Sequence, residues 1–373
     1  MKVLFATAHP AIPEMYGGSQ RSVAQLAKLL EQRGHTVGIH CGLIGRSRFG
    51  LIQRVRLILS KRSVIRDRKS GVDTWRSLRP WETLEGTIES FWPDVVIVPA
   101  AKPVLMAKAA QRFGLPVVMM LQDVDFSFHH GDIRELSGVS FVANSGFTAR
   151  IHKEAFGIDA DVIYPPVNKR DYMTDAKEKN GNCVTFINPH HYKGASVALD
   201  VAASLPNVNF LFVRGWPLDP VHEKELIQKI RRLPNVRLVG NTTDMRSIYA
   251  QTTVLLVPSQ WEEGYGRVAA EAQVNGIPVV ASNIGGLPES VGPGGILIPA
   301  CAPIEQWSLA LSELLSNSTL YDRLSVLANA HANRAEVDID HQAELWEQVL
   351  FKAVRSNAEP GYRRTHLGSV QGI

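Results

Sequence analysis

Residues 258–288 read PSQWEEGYGRVAAEAQVNGIPVVASNIGGLP, and the reading of this stretch decides the fold. It follows an apolar strand at Thr253–Val257 and passes through an acidic, glycine-rich turn, Glu262-Glu263-Gly264-Tyr265-Gly266. A helix is predicted over Arg267–Asn275; Gly276 and Pro278 end it, and Val279-Val280-Ala281 begins another buried strand. A strand–loop–helix–strand unit of this kind puts its loop at the carboxyl end of a strand, where open α/β sheets bind ligands.

The chemistry available in that loop is specific. Gly264 and Gly266 carry no Cβ and let the backbone approach a ligand closely. The helix start behind them presents unpaired N–H groups and a positive dipole end, a seat for a phosphate or a sugar hydroxyl. Glu263 lies in the loop and Glu271 about one turn into the helix, roughly 6 Å behind its start at ~1.5 Å rise per residue. Two acceptors staggered this way suit the two ends of one long ligand, such as the sugar and the ribose of a sugar nucleotide. Taken singly, Glu263 reads better as a solvated loop residue and Glu271 as an ordinary helix surface residue.

Taken together, Glu263-Gly264-Tyr265-Gly266, Glu271-Ala272, Gly276-Ile277-Pro278-Val279 and Gly285-Gly286-Leu287-Pro288-Glu289 resemble the donor-site signature of retaining glycosyltransferases of the GT-B fold, the group 1 or family 4 type. That signature has two glutamates separated by seven residues, then a small-residue helix and a glycine pair. The resemblance implies an α/β protein of two Rossmann-like domains facing across a cleft, with the last helix crossing back to the first domain. At 373 residues the chain also exceeds one comfortable core, so two domains are expected on length alone.

Working outward, residues 1–168 read as the first, acceptor-side domain. Strand Lys2–Thr7 leads through Gly17-Gly18 into helix Ser19–Arg33, with Ser19 as a candidate N-cap, and then strand His35–Cys41. Strand Pro93–Pro99, helix Pro103–Phe113, strand Val117–Leu121 and helix Gly146–Phe156 continue the alternation. By resemblance, Gly17 and Gly18 approach the donor phosphates and the acceptor. Gln122 stands where many relatives carry a histidine close to the reacting sugar, and Asp123 is the candidate to take over its polar role, with His129 and His130 a few residues downstream.

Residues 169–182 read as a linker, 183–340 as the donor domain and 341–373 as a terminal helix and tail. The donor domain restarts at Val184. Lys193-Gly194, before the helix Ala195–Leu205, matches half of a Gly-Arg…Lys-Gly pattern whose cations hold the diphosphate; Asn188 stands at the arginine's place. The resemblance therefore makes Lys193 the main countercharge, helped by Asn188, Arg267, His190 or His191, and gives Asn241 a contact to the base. Glu263 would position sugar hydroxyls and Glu271 would accept from the ribose. Glu263 and Lys193 are the principal catalytic candidates; Gly17, Gly18, Asn188, Asn241, Gly264, Tyr265, Gly266, Arg267 and Glu271 complete the donor-binding set. Helices are predicted at Ile304–Leu315, Leu320–Ala330 and Ala335–Val354, with a frayed end over Ser356–Ile373.

No metal and no cofactor are expected. Asp123-Val124-Asp125 and Asp338-Ile339-Asp340 both match the DxD triplet of the other large glycosyltransferase fold, and recurrence of so short a motif marks it as chance. Cys41, Cys183 and Cys301 show no ligand spacing and fit a reduced, cytoplasmic setting. The opening apolar residues read as a first strand rather than a leader, since His9-Pro10 interrupts them.

Composition is that of a globular chain, 45% hydrophobic and 20% charged, with a formal charge of +4. The charge is uneven. Arg46, Arg48, Arg54, Arg56, Lys61, Arg62, Arg66, Arg68, Lys69, Arg76 and Arg79 face only Asp67 and Asp73, and Leu51, Ile52, Val55, Leu57, Ile58 and Leu59 are interleaved. The segment suits either an anionic membrane surface, such as the inner face of a plasma membrane, or a solvated helix with one buried face. Nucleic acid is a poor fit, for the stretch has few stacking aromatics.

The expected reaction is transfer of a sugar from a UDP- or GDP-linked donor to a hydroxyl of a saccharide or lipid-linked acceptor, as in cell-surface polysaccharide or glycoconjugate synthesis. The rivals are a sugar-nucleotide epimerase and a catalytically weak binding subunit, the latter suggested by Gln122 and Asn188. A dinucleotide-dependent oxidoreductase lacks its GxGxxG after Thr7.

Overall fold

A computed structural model describes residues 1–175 and 180–358 of the chain. Two compact units emerge: Met1–Pro166 with the chain from Asp340 onward, and Val167–Ile339.

The first unit runs β1 (Lys2–Pro10), α1 (Gly18–Gln32), β2 (Thr36–Gly42), α2 (Arg48–Ser60), β3 (Ile65–Asp67), β4 (Asp73–Ser77), α3 (Pro80–Phe91), β5 (Val95–Val98), α4 (Pro103–Gln111), β6 (Val117–Leu121), β7 (Val139–Ala143), α5 (Gly146–Phe156) and β8 (Asp161–Val162). Its eight-stranded sheet has the order β3-β4-β2-β1-β5-β6-β7-β8, parallel but for the β3–β4 pair. Val3–Ala6 and Val95–Val98 are fully buried, as expected of central parallel strands covered on both faces. Leu4, Val96, Ala107, Met119 and Trp75 belong to one core cluster.

The second unit runs β9 (Cys183–Ile187), α6 (Ala195–Ser204), β10 (Asn209–Val213), α7 (Pro220–Ile230), β11 (Val236–Val239), α8 (Met245–Ala250), β12 (Thr252–Val257), α9 (Arg267–Gln273), β13 (Val279–Ser282), α10 (Leu287–Val291), β14 (Gly295–Ile298), α11 (Ile304–Ser316) and α12 (Ser318–Ala332). Its six strands are ordered β11-β10-β9-β12-β13-β14, and every pair is parallel. Phe186, Phe212, Leu256, Trp307 and Leu311 sit in its core. The strand order turns at β9 and β12, so their carboxyl ends flank a topological switch point.

The last helix, α13 (Ile339–Ala358), packs into the first unit, as the resemblance implied. Glu347 meets Arg33 at 2.7 Å and His35 at 3.0 Å, Gln342 donates to the Tyr164 carbonyl at 3.0 Å, and Asn357 to that of Gly114 at 2.8 Å. The helix predicted continuously over Ala335–Val354 is broken: Ala335–Val337 is a 3₁₀ turn, and Asp338 is extended at φ −61°, ψ 131°. Ser356 is still helical, and residues 359–373, the rest of the end read as frayed, lie outside the described part.

The stretch read as a linker begins with a 3₁₀ turn, Lys169–Asp171, capped by Asn168. Tyr172 is buried, and Thr174 donates to Asn275 through both its N–H and its hydroxyl, so these residues belong to the second unit's packing. Residues 176–179 lie outside the described part.

Candidate active site

The second unit gathers its charged candidates where β9 and β12 end. The β9–α6 loop places Lys193 in a 3₁₀ turn, and the β12–α9 loop places Glu263 opposite, with Nζ and Oε2 2.9 Å apart and both side chains largely buried. The Ser259 hydroxyl donates to the other Glu263 oxygen, and the ammonium lies 4.9 Å from the Trp216 ring centroid. An ammonium has three donors, so a bond to Glu263 leaves two for an anion. Each carboxylate oxygen has a second lone pair, so Glu263 retains acceptor capacity for a hydroxyl.

Close backbone approach sets this geometry. At Gly194 a Cβ would lie 1.9 Å from the Pro258 carbonyl oxygen, so only glycine lets the lysine loop abut the end of β12. Gln260 N–H donates to the Tyr192 carbonyl at 2.9 Å and ties the same two loops together. The glycine pair of the signature backs the glutamate: Gly286 N–H donates to the Glu263 carbonyl at 2.7 Å, and a Cβ on Gly286 would lie 2.3 Å from the Gly264 carbonyl. Gly266, at φ +88°, is the N-cap of α9, a helix of seven residues.

Behind the loop the remaining candidates turn inward. Glu271 is 3% exposed; Tyr249 donates to it at 3.1 Å and Arg267 at 3.3 Å. Arg267 also donates to the Tyr172 hydroxyl at 3.2 Å. Desolvation of this buried guanidinium opposes its charge, but attraction to Tyr172 and Glu271 outweighs that and raises its pKa. Tyr265 is buried and accepts from Arg334 at 3.2 Å; burial raises its pKa against the pull of Arg334. The Arg267, Glu271 and Tyr265 side chains thus form a buried framework under the loop.

Asn188 and Asn241 converge on one loop. Asn188, at φ +64°, accepts from Trp216 N–H at 2.9 Å, and Asn241 donates to the Gly215 carbonyl at 2.9 Å. Both fix the turn that presents Trp216 to Lys193. Burial, and then the neighbouring His191 and Lys193, lower the pKa of His190. The His191 ring lies tilted against Tyr192, centroids 4.0 Å apart, and the Tyr192 ring is 4.9 Å from that of Trp261. This aromatic rim escaped the sequence reading; an aromatic at positions 192, 216 and 261, each within three residues of a loop glycine or glutamate, was its only signal.

The first unit arranges its candidates differently. Gly17 is the N-cap of α1, without a side-chain cap bond; Ser19, expected as the cap, instead donates to Gln122 Oε1 at 2.8 Å. That bond joins the start of α1 to the end of β6, bringing Gly17, Gly18 and Gln122 together. Beside them is a small pocket lined by Thr7, His9, Ala11, Ile12, Ser19 and Gln20. His9, whose pKa burial lowers, lies within β1, which runs on to Pro10 rather than being interrupted there. Asp123 follows Gln122 and is half-buried. Asp125 caps a 3₁₀ turn by accepting from Ser127 N–H at 2.9 Å. His129 is packed inward against His152, Nε2 to Nε2 3.4 Å, and against Phe126 and Phe156, away from any polar role beside Gln122. Among the described residues no cluster of His, Cys, Asp or Glu has the arrangement of a metal site, and the three cysteines are free.

Sequence comparisons bear on both units. The profile of the group 1 glycosyl transferases matches residues 175–330, and that of glycosyltransferase family 4 matches residues 16–170. The chain belongs to the group 1, family 4 glycosyltransferases. This is a family of retaining enzymes with the GT-B fold. Among curated relatives, the D-inositol 3-phosphate glycosyltransferase of Corynebacterium diphtheriae is 41% identical over 128 residues, 34% of this chain and 29% of that protein. That of Corynebacterium glutamicum is 36% identical over 201 residues, 49% of this chain and 47% of that one. The match thus spans less than half the length of these relatives. Among solved structures, Anabaena HepE in complex with UDP and glucose superposes with a TM-score of 0.76 at 20% identity, over 94% of this chain and 100% of that one. It shares the glycosyltransferase fold.

Proposed function

We propose that the protein transfers a sugar from a nucleoside-diphosphate donor to an acceptor hydroxyl with retention of configuration. The observation that carries this reading is the Lys193–Glu263 pair, held by Ser259 and the Gly285-Gly286 backing within the family's two-glutamate signature. Lys193 stabilises the departing diphosphate with its two remaining donors. Glu263 accepts from hydroxyls of the transferred sugar and orients the anomeric carbon. Glu271, through lone pairs not used by Tyr249 and Arg267, takes the ribose hydroxyls, and Asn241 and its neighbours take the base. Within the first unit, Gly17, Gly18, Gln122 and Asp123 keep the roles that the resemblance gives them.

The loop carries Glu262 next to Glu263, and the route is taken from the family resemblance rather than from a carboxylate pair. That route is front-face: the anomeric C–O bond to phosphate breaks, the acceptor oxygen bonds to the same face, and its proton passes to the leaving phosphate. The acceptor is a saccharide or lipid-linked hydroxyl in glycoconjugate synthesis. UDP is the first nucleotide to test, because a protein of the same fold was crystallised with UDP and glucose.

The test is product analysis with UDP- and GDP-sugars in the presence and absence of acceptor. Glycoside formed with the donor's anomeric configuration supports the reading. An inverted product, or epimerised donor formed without acceptor, contradicts it.

A further inference from the structure

Helix α2 has its faces reversed. In α1 of the same unit the buried side carries Val23, Leu26, Ala27, Leu29 and Leu30, as an ordinary surface helix does. In α2 the buried residues are Gly50, Gln53 and Leu57, and only Leu57 joins a small core, with Leu43 and Ile65. The outward side carries Leu51 at 57% exposure, Ile52 at 59%, Val55 at 46%, Ile58 at 65% and Leu59 at 77%. Their spacing of i, i+1, i+4, i+7 and i+8 makes them one continuous stripe. Folding leaves this apolar face in water, at an energetic cost that a partner surface would remove.

The helix is nonetheless firmly seated. Ser47 caps its start by accepting from Gly50 N–H at 2.9 Å, and Glu14 accepts from Ile44 and Gly45 N–H at 3.0 and 2.6 Å just upstream. A Cβ at position 50 would lie 2.3 Å from the Glu14 carboxylate, so the helix start is clamped against it. The stripe is therefore presented by a fixed element.

Charge identifies the occupant. Arg48, Arg54, Arg56, Lys61 and Arg62 border the stripe and are all exposed. The nearby acids serve other cations: Asp73 pairs with Arg66 at 2.7 Å, and Asp67 with the buried Arg76 at 2.7 Å. A second copy docked face to face would oppose these cations to themselves. An anionic lipid surface satisfies both features at once, taking the apolar chains below the headgroups and the cations among the phosphates. Among the described residues no helix is long and apolar enough to cross a membrane, so the mode is lying in the interface.

We infer that α2 is a membrane-docking helix that holds the protein on an anionic bilayer surface. The inference does not rest on the donor reading, and its test uses neither donor nor acceptor. The full chain is mixed with vesicles of phosphatidylcholine alone or of phosphatidylcholine with phosphatidylglycerol, and bound protein is measured by flotation. Binding to the anionic vesicles that weakens with salt is expected, with little to the neutral ones. The triple variant Leu51→Ser, Ile58→Ser, Leu59→Ser should bind at least about tenfold less. Arg54→Gln with Arg56→Gln should weaken binding and flatten its salt dependence. Since the altered residues face solvent, thermal unfolding of the variants should match the parent. Flotation with neither vesicle, or undiminished flotation of the serine variant, overturns the inference. So does an oligomer of the parent chain that the serine variant dissolves, which would assign the stripe to self-association.

Discussion

The two units present the same kind of turn, a glycine-rich loop between a strand and a helix, with opposite electrostatics. In the second unit Glu263, in the loop before α9, pairs with Lys193 of the β9–α6 loop, above a second buried charged pair, Arg267 and Glu271. In the first unit the loop before α1 is joined to its neighbour by two neutral groups, Ser19 and Gln122. A buried charge is costly without its partner, whereas a neutral hydrogen bond contributes modestly. The second unit's site should therefore be brittle to substitution and the first unit's tolerant.

The largest effect should come from Glu271→Ala, which strands the Arg267 guanidinium in the interior. A loss of about 3–5 kcal/mol in unfolding free energy is expected by chemical denaturation. A loss below that of a typical surface substitution would show Arg267 finding solvent and would break the comparison. Glu263→Ala should next reduce turnover by roughly 100- to 1,000-fold. Its fold should remain, as seen by circular dichroism, because the loop backbone is still held by Gly286 N–H on the residue 263 carbonyl. Near-normal transfer by this variant would remove Glu263 from the reaction.

A third prediction concerns protons. His40, in the first unit's core, donates from Nε2 to the Pro80 carbonyl and is bonded to Thr87 at 2.8 Å, an arrangement of the neutral ring. Burial lowers its pKa to about 4 against the opposing Pro80 bond. Because the unfolded chain binds this proton more readily, the stability is complete above about pH 6.5 and is lost as pH falls toward 4, by up to about 3 kcal/mol. Thermal melts across that window should show the slope, and His40→Gln should reduce it; an unchanged slope would place the sensitivity elsewhere. The smallest effect belongs to Ser19→Ala, about 1 kcal/mol or less in stability. A loss as large as that of Glu271→Ala would erase the contrast between the units.

The strands were legible because parallel strands buried on both faces are unbroken apolar runs, as at Val95–Val98 and Val117–Leu121. The helix break at Asp338 was not, since neither Gly nor Pro marks it and an extended Asp is a tertiary choice. The glutamates were legible as a spaced pair, but their environments were not. The burial of Glu271 depends on Tyr249 and Arg267, which reach it from α8 and α9, and Glu263 depends on Ser259 and a glycine pair more than twenty residues on. The Ser19–Gln122 bond likewise joins residues far apart in the chain. The exposed side of α2 was beyond reach for a related reason: the stretch shows apolar and basic residues interleaved, and only packing determines which side faces out.

The central claim is that Lys193 is shared between Glu263 and the donor's diphosphate. Calorimetric titration of UDP and GDP into the parent chain, Lys193→Ala and Glu263→Ala tests it directly. One nucleotide should bind the parent, bind Lys193→Ala at least about tenfold more weakly, and bind Glu263→Ala as tightly or more tightly, because the ammonium is then released from its carboxylate. Equal affinity of the parent and Lys193→Ala for that nucleotide would contradict the account.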